Sequence, residues 1–394
     1  MTANEWVEKV DRDVIVEIGK QLVSIPSVSG DEFEIMQFVK RWLEERGIGY
    51  IETAHDPTRP NIVATIGDPH SGLHVAMNGH LDVVPVSDAS SWVTPPFEGV
   101  LSEDGSTLYG RGAADMKTSV GVMMAMLEMF RDAPLKGALT AHIVSDEEAG
   151  ASVGTKHVLA EMDAGNLPRP DLVIVGEGSY FRIRIAERGG LPVKVRLRGR
   201  ASHTAMARVT GINALQKAAK AVLALEHHID TFHPAVGYPV LCVNGIQGGV
   251  AHNVVPGEAT LDIDRRTVPG ETVESVIADI RAKLDAVAAE DPDFIYELEY
   301  DPTRYTEANM TSPDSPLVAA LQRAVGAVTA EEPAFFVDWA GITDSRLYRQ
   351  RGIDTVIMGP AGENEHGANE SILVDDLVTQ ARIYAHTISD LLGV

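Results

Sequence analysis

Short apolar runs that end abruptly in polar residues recur along the chain. Four of them cover Leu73–Met77, Ala138–Val144, Leu172–Val175 and Thr355–Met358. Near-continuous apolar runs of this length are typical of strands that are buried on both faces of a sheet. Met116–Phe130, between the first two runs, is long and apolar enough for a buried helix. Strands that alternate with helices predict an α/β fold with a mostly parallel, twisted sheet flanked by helices.

The middle of the chain follows a different pattern, with alternating apolar positions and two amphipathic helices. The predicted elements are strand Val193–Leu197, helix Gly211–His228, strands Val240–Gly245 and Ala259–Asp264, helix Thr272–Ala289 and strand Phe294–Glu299. This order, β-α-β-β-α-β, is the ferredoxin-like arrangement. Because it interrupts the strands of the larger sheet, we expect an inserted α+β domain at 186–302. The main domain would then consist of 1–185 and 303–394.

Length and composition are those of a globular chain, for which two domains are the first expectation and one large α/β domain is the alternative. The 394 residues exceed one typical domain, and 44% of them are hydrophobic and 23% charged. The formal net charge of −24 argues against nucleic acid or an anionic membrane surface as a partner. One cysteine, Cys242, is too few for an intrachain disulfide or a cysteine-rich zinc module. Neither a signal peptide nor a transmembrane run is visible, which predicts a cytoplasmic protein.

Polar residues that follow the predicted strands form the candidate site. In open α/β sheets, ligands bind beyond the carboxyl ends of the strands. The residues that fall there, or at the start of the next helix, are His80, Asp115, Glu148, Glu177 and His366. Two histidines and three carboxylates suit two divalent ions with one carboxylate between them. A nitrogen and oxygen ligand set without thiolate favours zinc, with cobalt or manganese as alternatives.

Two further acids extend this set. Asp82 lies two residues after His80, and a carboxylate beside a metal-binding histidine often orients the ring. Glu147 precedes Glu148 at the end of a buried strand, where adjacent carboxylates are costly unless a cation compensates their charge. If this is a metal site, one glutamate would bind metal while its neighbour acts on a water molecule.

Each of these residues, taken singly, also has an ordinary structural explanation. Asp115 could cap the helix that follows it, because aspartate is a favoured N-cap residue. The acidic run 146–148 could be a solvated loop, and Glu177 and His366 could be loop residues without a ligand. The metal interpretation therefore depends on all five residues lying at one edge of the sheet.

Seven sequence strings resemble the dizinc amidohydrolase family, which includes aminoacylase-1, acetylornithine deacetylase, succinyl-diaminopimelate desuccinylase and the glutamate carboxypeptidases. They occur in the family's order and extend over nearly the whole chain. The strings are NGHLDVVPV (78–86), LYGRGAADMK (108–117), SDEEAG (145–150), VGEGS (175–179), GRASHT (199–204), DRRTVPGE (264–271) and EHGANE (365–370). The resemblance implies a zinc-peptidase-like catalytic domain and an inserted domain that serves in dimerisation or as a lid.

The resemblance also implies a division of the metal ligands. His80 and Glu177 would hold one zinc ion, and Glu148 and His366 would hold the other. Asp115 would bridge the two ions, and the family joins this aspartate to the next residue by a cis peptide bond.

Further roles carry over from the family to matching positions. Asp82 would orient the first histidine, and Glu147 would be the general base, which takes a proton from water and gives it to the departing amine. His203 would reach the site of a neighbouring subunit and stabilise the oxyanion. Arg266 would bind the substrate carboxylate, with Arg265 as the alternative, and Asn253 would be a polar contact nearby.

The expected activity is hydrolysis of the amide bond of an N-acyl-amino acid, and the alternative is a carboxypeptidase or dipeptidase. Specificity would lie in the inserted domain and in 334–346, where Phe335, Phe336 and Trp339 would form either an apolar pocket or buried packing.

A metal-retaining protein without activity is a third hypothesis, which the presence of Glu147 and all five ligands disfavours. The exposed sheet of the inserted domain predicts a homodimer.

Overall fold

The computed structural model describes residues 2–337 and 341–394, so the predicted pocket residue Trp339 lies outside the described residues. The chain divides into two compact units. The first consists of Met1–Ile185, Thr311–Phe336 and Thr343–Val394, and the second is built mainly from Ala186–Met310. Among the described residues, no helix has both the length and the apolar character that crossing a bilayer requires.

The helices and strands are numbered here in chain order. The helices are α1 Ala3–Val7, α2 Arg12–Val23, α3 Phe33–Glu45, α4 Lys117–Phe130, α5 Thr155–Asp163, α6 Ala214–Leu225, α7 Val273–Glu290, α8 Pro316–Thr329, α9 Ser345–Arg349 and α10 Val374–Leu392. The strands are β1 Tyr50–Thr53, β2 Asn61–Gly67, β3 Leu73–His80, β4 Val100–Leu101, β5 Thr107–Tyr109, β6 Gly137–Val144, β7 Leu172–Val175, β8 Ala186–Glu187, β9 Gly189–Arg198, β10 Ser202–His203, β11 Val240–Gly248, β12 Val254–Val255, β13 Glu258–Thr267, β14 Ile295–Tyr300, β15 Asn309–Met310, β16 Asp354–Ile357 and β17 Ser371–Leu373.

The first unit is built on a six-stranded mixed sheet in the order β1-β2-β6-β3-β7-β16. The four strands from β6 to β16 are parallel, and β2 and β1 add to the β6 edge in antiparallel pairing. On one face, α5 and α9 bury Val158 and Leu347 against Ala76 and Val173. Gly79 lies on the opposite face. A Cβ atom added to this glycine would lie only 2.8 Å from the side chains of Met116 and Val120, at the start of α4. This close approach sets the start of α4 beside the end of β3.

The second unit has a four-stranded antiparallel sheet in the order β11-β13-β9-β14. Helices α6 and α7 pack on one face, where Val195, Leu261 and Ile280 are buried. Strands β9, β11, β13 and β14 with α6 and α7 follow the β-α-β-β-α-β order that the pattern predicted. Burial alternates along β13, so that Arg265 points into the core and Arg266 to the other face.

Several elements begin or end away from their predicted bounds. Strand β9 begins at Gly189 and β13 extends to Thr267, because backbone pairing continues through residues that lack an apolar signal. Helix α6 is shorter than predicted, since the Asn213 side chain accepts hydrogen bonds from the N–H groups of residues 215 and 216 and caps it. Apolar periodicity marks the buried positions of an element, while hydrogen bonds and caps set where it ends.

Candidate active site

Three neighbouring parallel strands carry three of the five predicted ligands to one edge of the large sheet. His80 is the last residue of β3, while Glu148 follows β6 and Glu177 follows β7. Asp115 lies in the turn before α4, and His366 lies in the loop between β16 and β17. Because the carboxyl ends of parallel strands meet at one edge, residues almost 300 positions apart in the chain become neighbours.

Asp115 lies between the two histidines. Its Oδ1 is 3.1 Å from Nε2 of His80, and its Oδ2 is 3.0 Å from Nε2 of His366. The same nitrogen of His366 is 3.0 Å from Oε1 of Glu148, and Nε2 of His80 is 3.4 Å from Oε1 of Glu177. These contacts link the five predicted ligands in one continuous chain, with Asp115 at its centre.

The donor atoms form two groups that could each hold a cation. One group contains His80, Glu147 and Glu177, and the atoms that these residues offer lie within 4.8 Å of one another. The other contains Asp115, Glu148 and His366 within the same limit. The predicted base, Glu147, thus lies among the ligand atoms of the first group.

The capping explanation of Asp115 is wrong. The N-cap residue of α4 is Met116, and the carboxylate of Asp115 contacts the two histidines instead. The peptide bond between Asp115 and Met116 is cis, as the resemblance implied.

Asp82 is fully buried and contacts both the first histidine and the backbone of the two glutamates. Nδ1 of His80 is 2.9 Å from the main-chain oxygen of Asp82 and 3.5 Å from its Oδ1, so the closer partner is the carbonyl and not the predicted carboxylate. The carboxylate accepts hydrogen bonds from the backbone N–H groups of Glu147 at 3.0 Å and Glu148 at 3.2 Å. The Ser29 hydroxyl donates a further bond of 2.7 Å.

The charges in the site require compensation. Burial raises the pKa of Glu147 to about 10 and that of Glu148 to about 7, and neighbouring carboxylates, Asp115 among them, add to both shifts. Burial likewise raises the pKa of Glu177, whereas the hydrogen bond to Asp115 raises the pKa of His366 to about 9. Two divalent cations would offset the repulsion among these carboxylates, and the nitrogen and oxygen donors are those that zinc, cobalt and manganese accept. The residues present therefore fit a dimetal centre.

Arg59 and Asp146 support the turn that carries the two glutamates, and sequence reasoning missed this role. Asp146 has a left-handed backbone, with φ of 70°. Its carboxylate accepts hydrogen bonds from Nη2 of Arg59 at 2.7 Å and from the backbone N–H of Val153 at 3.1 Å. The same guanidinium pairs with the buried Glu32. Asp146 is therefore not a solvated member of an acidic run, although nothing in the sequence indicates that Arg59 is its partner.

The stretch predicted to contain a specificity pocket is only partly described. In the first unit, Phe336 stacks on Tyr180 with ring centroids 6.2 Å apart, and both line a cavity of about 630 Å³ together with Arg182. Asp344 is buried and accepts a hydrogen bond of 2.6 Å from the Thr155 hydroxyl. Burial raises the pKa of Asp344 to about 6.

The three remaining site candidates lie in the second unit. His203 ends β10 and is exposed, and its Nδ1 accepts a hydrogen bond from the backbone N–H of Ala205. Asn253 is also exposed and accepts a bond of 3.1 Å from the N–H of Thr204 through its main-chain oxygen. Pairing of β10 with β12 therefore brings His203 and Asn253 together. Arg266 is partly exposed and donates to Asp264 at 2.9 Å.

A parallel sheet edge that gathers histidines and carboxylates in this way is the arrangement of a metal-dependent hydrolase. The model of peptidase family M20/M25/M40 matches residues 76–390. The chain belongs to this family and is a metal-dependent hydrolase of amide bonds, of the deacylase and peptidase type.

Curated relatives match over nearly the full length. A succinyl-diaminopimelate desuccinylase of Methylobacillus flagellatus is 31% identical over 389 residues, which cover 96% of this chain and 99% of the relative. One of Marinobacter nauticus is 29% identical over 390 residues, which cover 96% of this chain and 98% of the relative.

Solved structures share the fold at lower identity. An M20 family metallo-carboxypeptidase of Sulfolobus solfataricus is similar with a TM-score of 0.69, 20% identity and coverage of 96% of this chain and 99% of that one. A dinuclear metal-binding peptidase of family M20 from Bacillus subtilis has a TM-score of 0.71 and 20% identity, and the match covers 97% of this chain and 98% of that one.

Proposed function

We propose that the protein is a deacylase that hydrolyses the amide bond of an N-acyl-amino acid with a free carboxylate near that bond. The observation that carries this proposal is the position of Asp115, whose two carboxylate oxygens each contact a different histidine. The full-length relatives named succinyl-diaminopimelate desuccinylase support an acyl-amino acid as the substrate class and a succinyl group as the first acyl group to test.

The cofactor in this proposal is a pair of divalent ions, with zinc as the first choice and cobalt or manganese as alternatives. His80 and Glu177 would hold one ion, Glu148 and His366 the other, and Asp115 would contact both. When bound, such ions supply Lewis-acid polarisation of the scissile carbonyl and lower the pKa of water.

Glu147 would act as general base and then as general acid. Its carboxylate accepts a proton from the attacking water and transfers it to the amine nitrogen as the amide bond breaks. The atoms that Glu147, His80 and Glu177 offer lie within 4.8 Å of one another, which places the proposed base beside the proposed metal ligands. Asp82 fixes the backbone of the same residue by accepting its N–H, which keeps the base in position.

The second unit would supply contacts to the substrate. Arg266 would bind the substrate carboxylate through a bidentate ion pair, and Asn253 would be a polar contact. Arg265 is a poorer candidate, because its side chain is buried and pairs with Glu271. His203 would donate to the oxyanion in the site of a second subunit, which makes the proposed homodimer part of the catalytic unit. The cytoplasmic location remains a prediction.

The function is tested with metal-depleted protein that is reloaded with Zn²⁺, Co²⁺ or Mn²⁺. We expect turnover of N-succinyl-diaminopimelate or of N-succinyl or N-acetyl amino acids, at least tenfold faster than that of dipeptides. The reverse preference would establish the carboxypeptidase or dipeptidase alternative, which the structural similarity to a metallo-carboxypeptidase keeps open. Bound metal without turnover of either substrate class would favour the non-catalytic hypothesis.

A further inference from the structure

Glu370 is a buried carboxylate that the proposed chemistry does not use. Its Oε1 accepts three backbone hydrogen bonds, from the N–H groups of Gly112 at 3.0 Å, Ala114 at 2.9 Å and Asp115 at 3.1 Å. Only 1% of its surface is exposed. One oxygen atom thus fixes the turn that carries the proposed bridging ligand.

Arg111 links Glu370 to the loop of the second histidine. Its Nη1 donates to the other carboxylate oxygen of Glu370 at 2.5 Å, and its Nη2 donates to the main-chain oxygen of His366 at 3.0 Å. Arg111 is only 2% exposed, whereas 53% of the His366 side chain is exposed. The backbone of an exposed, left-handed loop residue is therefore held by a buried guanidinium.

We infer that Glu370 and Arg111 are a positioning pair, which fixes Asp115 relative to His366 and thereby sets the affinity of the site for its ions. The inference rests on the proposed metal ligands. Neither side chain is placed among the metal ligands, so the pair acts through the backbone of residues 112–115 and 366. Removing residues that orient metal ligands typically weakens metal binding by about 10–100-fold.

The exchange of Glu370 for glutamine separates positioning from packing. Glutamine has nearly the same volume, but its single oxygen cannot accept from the backbone N–H groups and from Arg111 together. Either the turn of Asp115 or the guanidinium loses its acceptor. A role limited to packing predicts normal metal affinity in this variant, whereas positioning predicts weaker binding.

A cobalt titration of the full-length protein tests the inference. We expect Glu370→Gln to raise the Kd for Co²⁺ by about 10–100-fold and to change the visible absorption of bound cobalt. Arg111→Lys keeps the positive charge but loses the forked contact, and we expect an intermediate rise. The Arg111→Lys variant also tests the inference if Glu370→Gln does not fold. In the double variant the effects should not add, because both changes break one network.

Two controls make the result unambiguous. Glu271→Gln in the second unit also removes the negative charge that pairs with a buried arginine, Arg265, and should lower the Tm without changing the Kd for Co²⁺. Asp115→Ala should weaken cobalt binding strongly. If Glu370→Gln and Arg111→Lys both bind Co²⁺ within twofold of the unmodified protein while Asp115→Ala does not, the positioning role is refuted and the proposed site stands. Unchanged binding in Asp115→Ala would instead refute the proposed site.

Discussion

The carboxylate of Asp82 accepts a hydrogen bond of 3.0 Å from the backbone N–H of Glu147. Its other oxygen accepts the next backbone N–H, from Glu148, and the Ser29 hydroxyl. The residue therefore links the end of β3, which carries His80, to the turn after β6, which carries the proposed base. Its contacts to the turn of the two glutamates are shorter than the 3.5 Å from its carboxylate to the histidine ring.

Exchange of Asp82 for asparagine should disturb both strand ends. The amide would place N–H donors against backbone N–H groups, so at least one of the two bonds to the glutamate turn is lost. We expect kcat/KM to fall about 10–100-fold with weaker metal binding. Ser29→Ala removes only one bond to the same carboxylate and should cost less than tenfold. Equal losses in the two variants would contradict this account.

Glu147→Gln should abolish turnover while metal stays bound. The amide cannot take up a proton, and loss of a general base costs about 10²–10⁴-fold in rate. Steady-state assays give the rate, and elemental analysis of the dialysed variant gives the metal content. Retention of more than a few percent of activity would show that another residue is the base.

The two adjacent arginines of β13 should differ in their effects. Arg266→Met removes a partly exposed charge, so we expect a KM increase of at least tenfold for substrates with a free carboxylate and little change in Tm. Arg265→Met leaves Glu271 without its buried partner and should reduce the free energy of unfolding by about 3–5 kcal/mol. The opposite pattern would identify Arg265 as the carboxylate anchor.

Mixing two inactive variants tests whether His203 acts across a dimer. His203→Ala and Glu147→Gln are each expected to be inactive as homodimers. If the histidine serves the partner's site, a mixed dimer contains one complete site, and random exchange of subunits should restore about a quarter of the normal activity. No recovery after verified exchange, or a fully active monomer, would refute the role in trans.

Asp291 should stabilise the second unit in a pH-dependent way. Its carboxylate accepts hydrogen bonds from Nζ of Lys217 at 2.7 and 2.8 Å and from Nζ of Lys220 at 2.6 Å, and these bonds lower its pKa to about 2. Because the pKa of this carboxyl is lower in the folded protein than in the unfolded chain, its ion pairs stabilise the fold at pH values above the ordinary pKa near 4. This contribution is lost as the pH falls toward 2. Asp291→Asn should therefore lower the Tm at pH 7, and the difference should shrink below pH 4. A constant difference down to pH 3 would contradict this.

Much of the fold follows from local patterns in the sequence. Apolar runs predicted the parallel strands β3, β6, β7 and β16, and alternation predicted the order of elements in the second unit, because burial imposes a period on each element separately. The same patterns located His80, Asp115, Glu148, Glu177 and His366 at strand or helix ends. Since such ends converge at one edge of a parallel sheet, local information was enough to group these residues as candidates.

The tertiary structure decided which partner each polar group has. Arg59 holds Asp146, and Glu370 holds the turn of Asp115. These contacts join segments that are far apart in the chain, and no local period encodes them. Hydrophobic burial acts on every residue of an element according to its face, whereas a hydrogen bond forms only between two particular atoms that the completed fold brings together.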